Sequence, residues 1–493
     1  MHRKMPIFYS ALMLTGVNLL LRLVSTSFQV FISGRIGAAG VGLLQLVMSV
    51  GMLAMTAGIA GIRTTAMYLT AEELGRKQPG NVRWILSGCF LYSIVCSGVI
   101  SVCLYGFAPV IAEKWIGNLQ ATGAIRLLAG FLPVSCLCGV MTGYFTAANR
   151  IGTLAAVEIA EQILSMSVTM TFLSLWAGTD PAKACQAVVL GSGVSSCMVL
   201  ICLVALRLRE HAVTSKQIPV RSRLLQAAVP LALADDLKSG ISTTENLMVP
   251  KRLALYPKAD NPLALFGMVC GMVFPILMFP AAILFGLAEL LIPELARCAS
   301  AGSQTRIRYL VKRSLRVAML YGCLCCGLMH LLSKELCISL YQNAQAGSYL
   351  SWFSLLCPML YCDAITDAMT KGLGQQKACV RYNILTSAMD VILLYLLLPK
   401  YGIEGYFFSF VITHFLNFAL SLNRLKKISG VSIAWHVPIL SCAATVASIW
   451  GASWVETPGI RIGAYVLLCG SLLFLFRVLR KEDVLWVKGL IKR

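Results

Sequence analysis

Residues 230–240 read PLALADDLKSG, which places three charged side chains, Asp235, Asp236 and Lys238, inside a long apolar stretch. Whether this stretch crosses a membrane or lies in a loop decides the fold, because it determines the side of the membrane on which every later loop lies. On insertion scales, a charge at the centre of a membrane helix costs about 2.5 to 3.5 kcal/mol. A helix with three such charges therefore needs a face that is sheltered by protein or water.

The composition around this stretch is that of a membrane protein. Of the 493 residues, 58% are hydrophobic and only 13% are charged, and the mean hydropathy is +0.77. Soluble domains contain about 25% charged residues. Apolar runs long enough to cross about 30 Å of hydrocarbon recur along the whole chain. The sequence therefore predicts an all-α, multi-pass integral membrane protein that lies in the lipid bilayer.

Apolar runs bounded by charged residues, Gly and Pro predict fourteen transmembrane spans. The first six cover residues 7–32, 40–70, 83–110, 122–147, 153–177 and 183–206. The other eight cover residues 223–250, 262–296, 307–333, 349–371, 378–399, 402–423, 433–455 and 460–478.

The distribution of Lys and Arg tests this count. With the N-terminus inside, the inner segments carry 28 of the 42 Lys and Arg residues, the outer loops carry 9, and five lie within spans. If residues 223–250 did not cross, the split would be 17 inside to 20 outside, and the usual inside bias would vanish. The same bias explains the net charge of +21 without a nucleic-acid partner. We expect a cell-membrane protein with both termini in the cytoplasm.

A weak internal repeat divides the chain into two blocks. SGRIGAAGVGLLQ at 33–45 is echoed by PKRLALYPKADNPLALFGMV at 250–269, and GYFTAANRIG at 143–152 by DAMTKGLGQQ at 367–376. Since six spans return the chain to its starting side, the two copies are parallel, as in transporters that work by alternating access. The predicted organisation consists of an N-lobe at 1–206, a linker at 207–222, a C-lobe at 223–430, and two further spans with a basic tail at 431–493.

The charges within the spans are the candidate functional residues. Asp235 and Lys238 stand three residues apart and could form an ion pair on one helix face, while Asp236 points about 100° away. Either this pair locks the helix to its neighbours, or the helix lines a polar cavity. Further charges inside predicted spans support a cavity: Arg22, Arg63, Glu245, Asp363 and Asp390.

Motifs for other chemistries are missing from the sequence. There is no Walker A loop, no G-x-S-x-G and no H-E-x-x-H, which argues against an ATP-driven pump and against an enzyme. The 19 cysteines lie within apolar segments, without clustered His partners, so we expect neither a metal site nor a resident cofactor.

Several stretches resemble the MATE-like exporter and flippase superfamily, in particular its stage V sporulation protein B and polysaccharide-export group. They are VNLLLRLVSTSFQVFISGRIGAAGVGLLQL (17–46), ENLMVPKRLALYPKADNPLALFGMVCGMVFPILMFPAAILFGLAELLIPELA (245–296), DAMTKGLGQQK (367–377) and PKYGIEGYFFS (399–409). The resemblance implies two six-helix lobes around a central V-shaped cavity, lined by spans 1, 2, 7 and 8. It also implies that Arg22 matches a span-1 arginine that meets a lipid pyrophosphate. Glu245 stands where the family usually has Asp, and the D-D-x-K run is not a family motif.

Our leading hypothesis is a monomeric flippase that moves an undecaprenyl-pyrophosphate-linked saccharide to the outer leaflet. Arg22, Arg63 and Lys238 would bind the anionic head group, because guanidinium groups match phosphate oxygens well. The acidic candidates would bind sugar hydroxyls or a coupling H⁺ or Na⁺: Asp235, Asp236, Glu245, Asp363 and Asp390. The alternative is an ion-coupled multidrug or cation antiporter of the same superfamily. A membrane-embedded glycan polymerase or ligase comes third, since the outer loops are short.

Overall fold

The computed structural model describes residues 7–59, 61–76, 78, 80–148, 150–178, 180–209, 221–432 and 435–479. Regular secondary structure in these ranges is helical throughout, which confirms the all-α prediction. The first nine α-helices are α1 (Ile7–Ile59), α2 (Ile62–Gly75), α3 (Asn81–Val110), α4 (Thr122–Ala147), α5 (Ile151–Phe172), α6 (Pro181–Leu208), α7 (Arg221–Leu253), α8 (Pro262–Met268) and α9 (Phe274–Met278). The others are α10 (Ala281–Ser300), α11 (Gln304–Leu331), α12 (Ser333–Tyr341), α13 (Ala344–Ser354), α14 (Cys357–Gly372), α15 (Gln376–Tyr401), α16 (Ile403–Ser429), α17 (His436–Ser453) and α18 (Pro458–Leu475). Wider π-helical turns occupy Ile111–Ile116, Leu173–Ala177 and Val269–Val273.

The helices confirm a multi-pass membrane protein. In the described ranges, ten helices are long and apolar enough to cross a membrane, or eleven if Pro262–Met278 and Ala281–Ser300, which are bent by 61°, form one broken span. One of the ten is a stretch of 55 residues from Leu20 to Leu74. At 1.5 Å per residue it is more than twice as long as the hydrocarbon layer is thick, so it has room for the first two predicted spans. The total of fourteen spans stays a prediction.

Two glycines interrupt this first stretch. Gly37 leaves the helical conformation within α1 (φ 67°, ψ 179°), at the position of the predicted outer loop. Gly61 (φ 69°) separates α1 from α2 inside what the sequence predicts as one continuous span, 40–70. Only glycine adopts these left-handed backbone angles without strain, so the second span is broken where the sequence reads GIAGI.

The helices at two of the predicted spans, 223–250 and 349–371, are not both long enough and apolar enough to count as a simple membrane-spanning helix. α7 is 33 residues long, but the charges of its central and last turns lower its hydropathy. The segment predicted at 349–371 is divided between α13 and α14, which have 11 and 16 residues. Pro358, at the first turn of α14, is compatible with a helix start there, since proline lacks the backbone N–H that a helix interior requires.

The described chain forms two compact units. The first unit contains Met1–Gly271 together with Leu394–Ile403, and the second contains Met272–Leu393 and Glu404–Arg493. α7 and α8 thus pack with the N-terminal helices, although they follow the linker in sequence. The division into lobes at 207–222, which rests on the internal repeat, stays a prediction.

The core of the first unit lies between α2, α3, α4, α6 and α7. Its fully buried members include Ile62, Ile85, Phe145 and Leu203. Close backbone contact also joins α1 to α8. A Cβ atom on Gly267 would lie 2.0 Å from the carbonyl oxygen of Ala38, so the packing of these two helices requires glycine there.

The second unit is held by aromatic side chains and by close helix contacts. Phe274, Phe353 and Phe410 form a cluster with ring-centroid distances of 5.2 to 6.2 Å. The α17–α18 hairpin packs on α11, where the buried Tyr465 hydroxyl donates a 2.8 Å hydrogen bond to the carbonyl of Cys323. Aromatic pairs of this kind contribute about 0.5 to 1.5 kcal/mol beyond burial of their area.

Candidate functional site

A seam of polar contacts joins α7 to the second half of α1 and to α2. The two helical segments run in opposite directions along it. As the residue number on α7 falls from 246 to 223, the number of the residue in contact with it rises from 49 to 73. Four contacts define the seam: Asn246 Nδ2 to Ser49 Oγ at 3.1 Å, Thr243 Oγ1 to the Ser49 carbonyl at 3.1 Å, Thr56 Oγ1 to Ser239 Oγ at 3.3 Å, and Arg223 to Glu72 and Glu73 at 2.8 and 2.9 Å. α7 therefore lies along the broken second span from Ser49 to its inner end.

The break between α1 and α2 lies against α7. A Cβ atom on Gly61 would lie 2.7 Å from the carbonyl oxygen of Ala228 and 2.9 Å from the amide nitrogen of Ala232. Glycine at this position therefore allows two backbones to touch as well as allowing the left-handed turn. The charged run of α7 follows directly after this contact.

The charged side chains of that run do not pair as the sequence suggested. Asp235 and Lys238 are both exposed, and no ion pair joins them in the described part of the chain, so the pair that their spacing allows on one helix face does not form. The physical reason is that both side chains are exposed. On a face open to water, such as the wall of the predicted cavity, an ion pair gains at most about 1 kcal/mol, too little to fix two flexible groups.

Asp236 has a different environment from its two charged neighbours. Its side chain is half-buried, and its Oδ1 atom is buried without a hydrogen-bond partner among the described residues. Tyr92 of α3 is close enough for electrostatic interaction with this carboxylate. Since buried polar atoms are nearly always hydrogen-bonded, an unsatisfied carboxylate oxygen points to a role for Asp236 beyond packing.

An ion-pair cluster fixes the start of α7 to the end of α2. The Glu73 side chain is only 1% exposed and accepts hydrogen bonds from Arg223 at 2.9 Å and from Asn81 at 2.9 Å. Arg223 also pairs with Glu72 at 2.8 Å. One guanidinium that binds two carboxylates is a geometrically specific arrangement. The predicted topology places this cluster at the cytoplasmic end of the seam.

The other predicted residues of the first unit are spread along its helices. Arg22 is half-buried on α1, Glu245 is half-buried on α7 between Thr243 and Asn246, and both engage other residues. Arg63 is exposed in the first turn of α2, two residues after Gly61. Glu245 thus lies within the seam, and Arg63 lies beside the break.

Asp363 and Asp390 belong to the second unit, in a cluster of polar side chains from α14, α15 and α16. Asn417 Nδ2 of α16 lies 3.2 and 3.1 Å from the two carboxylate oxygens of Asp363. Asp390 is 7% exposed and accepts hydrogen bonds from Ser409 at 2.6 Å and Thr413 at 3.1 Å. Neither carboxylate forms an ion pair with a described residue. The hydrogen bonds to each carboxylate come from neutral donors.

Sequence reasoning missed most of the neutral partners of these charges. Ser49 and Thr56 are seven residues apart, and Ser239, Thr243 and Asn246 follow one face of α7. This spacing of small polar residues within an apolar helix was a usable signal, because it places them on one stripe. Asn417 gave no such signal, since its partner Asp363 is 54 positions away.

The fold defined by these helices is that of a class of polytopic transporters, which includes lipid flippases and multidrug exporters. The structure of the lipid II flippase MurJ in its inward closed conformation matches 94% of this chain and 99% of that chain, with a TM-score of 0.71 and 11% identity. The structure of an inward-facing multidrug resistance MATE family transporter of the MOP superfamily is also similar, with a TM-score of 0.64 and 14% identity. The match covers 85% of this chain and 100% of the transporter chain.

In sequence, the chain is similar to stage V sporulation protein B of Bacillus subtilis (strain 168). The two are 21% identical over 506 aligned positions, which cover 98% of this chain and 97% of that protein. No protein-family profile matches the chain. These similarities confirm the resemblance seen in the sequence motifs, and the similar proteins of known structure are transporters rather than enzymes.

Proposed function

We propose that this protein is a flippase that moves a lipid-linked saccharide from the inner to the outer leaflet of the cell membrane by alternating access. The observation that carries the proposal is similarity over nearly the full length both to stage V sporulation protein B and to the MurJ fold. The substrate we propose is an undecaprenyl-pyrophosphate-linked cell-wall precursor. The protein would act as a monomer with both termini in the cytoplasm.

Cations of the first unit would bind the head group. Arg22, Arg63 and Lys238 lie on α1, α2 and α7, the helices that the polar seam connects. Arg63 and Lys238 are exposed, so a phosphate could reach them without displacing a protein partner. Asp236 would accept hydrogen bonds from sugar hydroxyls, which would satisfy its buried Oδ1 atom.

Carboxylates of the second unit would couple transport to an ion gradient. Asp390 and Asp363 are held by neutral donors, so each can take up a proton or a Na⁺ ion without first breaking an ion pair. Asp235 and Glu245 remain further candidates for this role on α7.

A reconstituted system tests the proposal directly. The purified chain would be placed in liposomes that contain a fluorescent undecaprenyl-pyrophosphate saccharide, and a membrane-impermeant reagent would report how much of it reaches the other leaflet. We expect transfer within minutes in the presence of the protein. Depletion in cells should leave the lipid-linked intermediate on the cytoplasmic face.

The second candidate is an ion-coupled multidrug or cation antiporter. The fold similarity to a multidrug resistance MATE transporter favours it, as do the carboxylates of the second unit. The same liposomes distinguish the two. Efflux of a cationic dye without transfer of the saccharide lipid would establish the antiporter and exclude the flippase. A glycan polymerase or ligase would instead lengthen the saccharide, which mass spectrometry of the lipid would detect.

A further inference from the structure

An apolar groove lies in the first unit, between the second half of α1 and the far end of α3. Its volume is about 310 Å³, at the lower end of the range of about 300 to 1,000 Å³ for small-molecule sites. The side chains that line it are apolar, apart from the thiol of Cys103 and the indole N–H of Trp115. Its floor includes the buried Val50 and Ala54, whereas Phe107 and Trp115 on its rim are exposed.

Local sequence features create this groove. On α1, the lining positions 50, 53, 54 and 57 share one helix face, and Ala54 and Ala57 keep the floor low. On the opposite side, α3 contains Pro109 and continues into the wider π-helical turn Ile111–Ile116. Ser101 donates a hydrogen bond to the carbonyl of Ala129, which joins this part of α3 to α4.

Two lysines lie at the Trp115 end of the groove. Lys114 precedes Trp115 in the π-helical turn, and Lys251, near the end of α7, donates a hydrogen bond to the carbonyl of Lys114. Both side chains are exposed, and no ion pair engages either of them in the described ranges, although Glu113 is next in sequence. The predicted topology places this end at the outer membrane surface, where the sequence has few cations.

We propose that the groove binds an anionic polyprenyl lipid in the outer leaflet, with its phosphate on Lys114 and Lys251 and its chain along the apolar lining. The proposal rests on the proposed flippase function and adds an exit site for its product. Lysine binds phosphate as a compact point charge. Trp115 would lie at the membrane surface, where tryptophan is enriched.

The charge at the Trp115 end of the groove favours a polyprenyl phosphate over an ordinary phospholipid. The two ammonium groups there match the higher negative charge of a terminal phosphate or pyrophosphate better than the single charge of a phosphodiester.

Cys103 allows the occupant to be detected in the unmodified protein. The full chain in phosphatidylcholine nanodiscs would be treated with a membrane-permeant maleimide, and labelling would be followed by peptide mass spectrometry. Cys442, an exposed cysteine on α17, serves as the internal control. We expect undecaprenyl phosphate to slow labelling of Cys103 several-fold and to leave Cys442 unchanged. Equal protection by phosphatidylglycerol, or no protection by either lipid, would overturn the proposal.

Variants test the two parts of the site separately. Ala57→Phe should fill the groove and remove the protection of Cys103, whereas Val99→Phe, on an exposed part of α3 outside the groove, should not. Lys114→Gln and Lys251→Gln should each raise the concentration of undecaprenyl phosphate that gives half-maximal protection of Cys103 by about tenfold. This is the change expected for the loss of a charge-assisted contact. Lys258→Gln, an exposed lysine beyond the end of α7, is the matched control. Unchanged protection in Ala57→Phe would contradict the proposal.

The outcomes separate this site from the proposed function. If wild-type protein transfers the saccharide lipid but Cys103 is not protected, the exit site is wrong and the flippase function stands. If Cys103 is protected while no transfer occurs, the lipid site stands and the flippase function fails.

Discussion

Arg223 at the start of α7 and Glu73 at the end of α2 form an ion pair, with 2.9 Å between Nη1 and Oε1 and with the carboxylate almost fully buried. Between this pair and the contact of Asn246 with Ser49, α7 follows the broken second span over residues 49–73. The helix that carries half of the candidate charged residues is therefore held near both ends by polar contacts. Its middle, with Asp235 and Lys238, is exposed.

Loss of the Arg223 guanidinium should strongly destabilise the protein. Arg223→Gln leaves the buried Glu73 with only the longer contact to Arg76, at 3.8 Å. Removal of one partner from a buried ion pair typically costs about 3 to 5 kcal/mol. Thermal unfolding in detergent should show a clear drop in Tm. Arg306→Gln removes an arginine from the exposed pair with Glu294, and it should cost no more than about 1 kcal/mol. Similar Tm values for the two variants would contradict this interpretation of the cluster.

The glycine contact between α1 and α8 should not tolerate a methyl group. In Gly267→Ala the new Cβ atom would lie 2.0 Å from the carbonyl oxygen of Ala38, and overpacking of this kind costs about 1 to 3 kcal/mol or more. Gly240→Ala on α7 is the control, because no atom lies within 4 Å of its Cβ position. We expect a lower Tm for the first variant and an unchanged or higher Tm for the second. The reverse order would show that α1 and α8 are not in such close contact.

Asp390→Asn tests coupling to an ion gradient. The amide keeps an oxygen that can accept hydrogen bonds from Ser409 and Thr413 but removes the charge. We expect folding to be retained and saccharide transfer in liposomes to stop responding to imposed H⁺ or Na⁺ gradients. Ser409→Ala, which keeps the carboxylate, should retain a response. A gradient response in Asp390→Asn equal to that of the wild type would exclude Asp390 as the coupling group.

Arg22→Ala tests recognition of the head group. Loss of one charge-assisted hydrogen bond is worth about 1.5 to 3 kcal/mol, so the apparent affinity for a pyrophosphate lipid should fall by about 10- to 100-fold. Arg126→Ala removes another arginine from within a predicted span, where it lies over the ring of Tyr105. This control should leave the affinity close to that of the wild type. If Arg22→Ala binds and transfers the lipid normally, Arg22 does not contact the head group.

Much of the candidate site was visible in the sequence as isolated residues. Asp363 and Asp390 stand out because charges within apolar spans are rare and costly. Their stabilising partners do not stand out, because a serine, a threonine or an asparagine in a membrane helix is common. Asn417 becomes informative only when the fold brings it to within 3.2 Å of Asp363.

Composition and the spacing of apolar and basic residues determined that this chain is a helical membrane protein, because insertion energetics depend on each segment almost independently of the others. Local rules did not predict the break at Gly61, which interrupts a span that the sequence predicts as continuous, nor its contact with α7. The tertiary structure alone decided that α7 packs with the N-terminal helices and that Asp235 and Lys238 remain apart. It also decided that Asp236 keeps a buried carboxylate oxygen without a partner. These features depend on which helix faces meet, and side chains far apart in sequence determine that choice together.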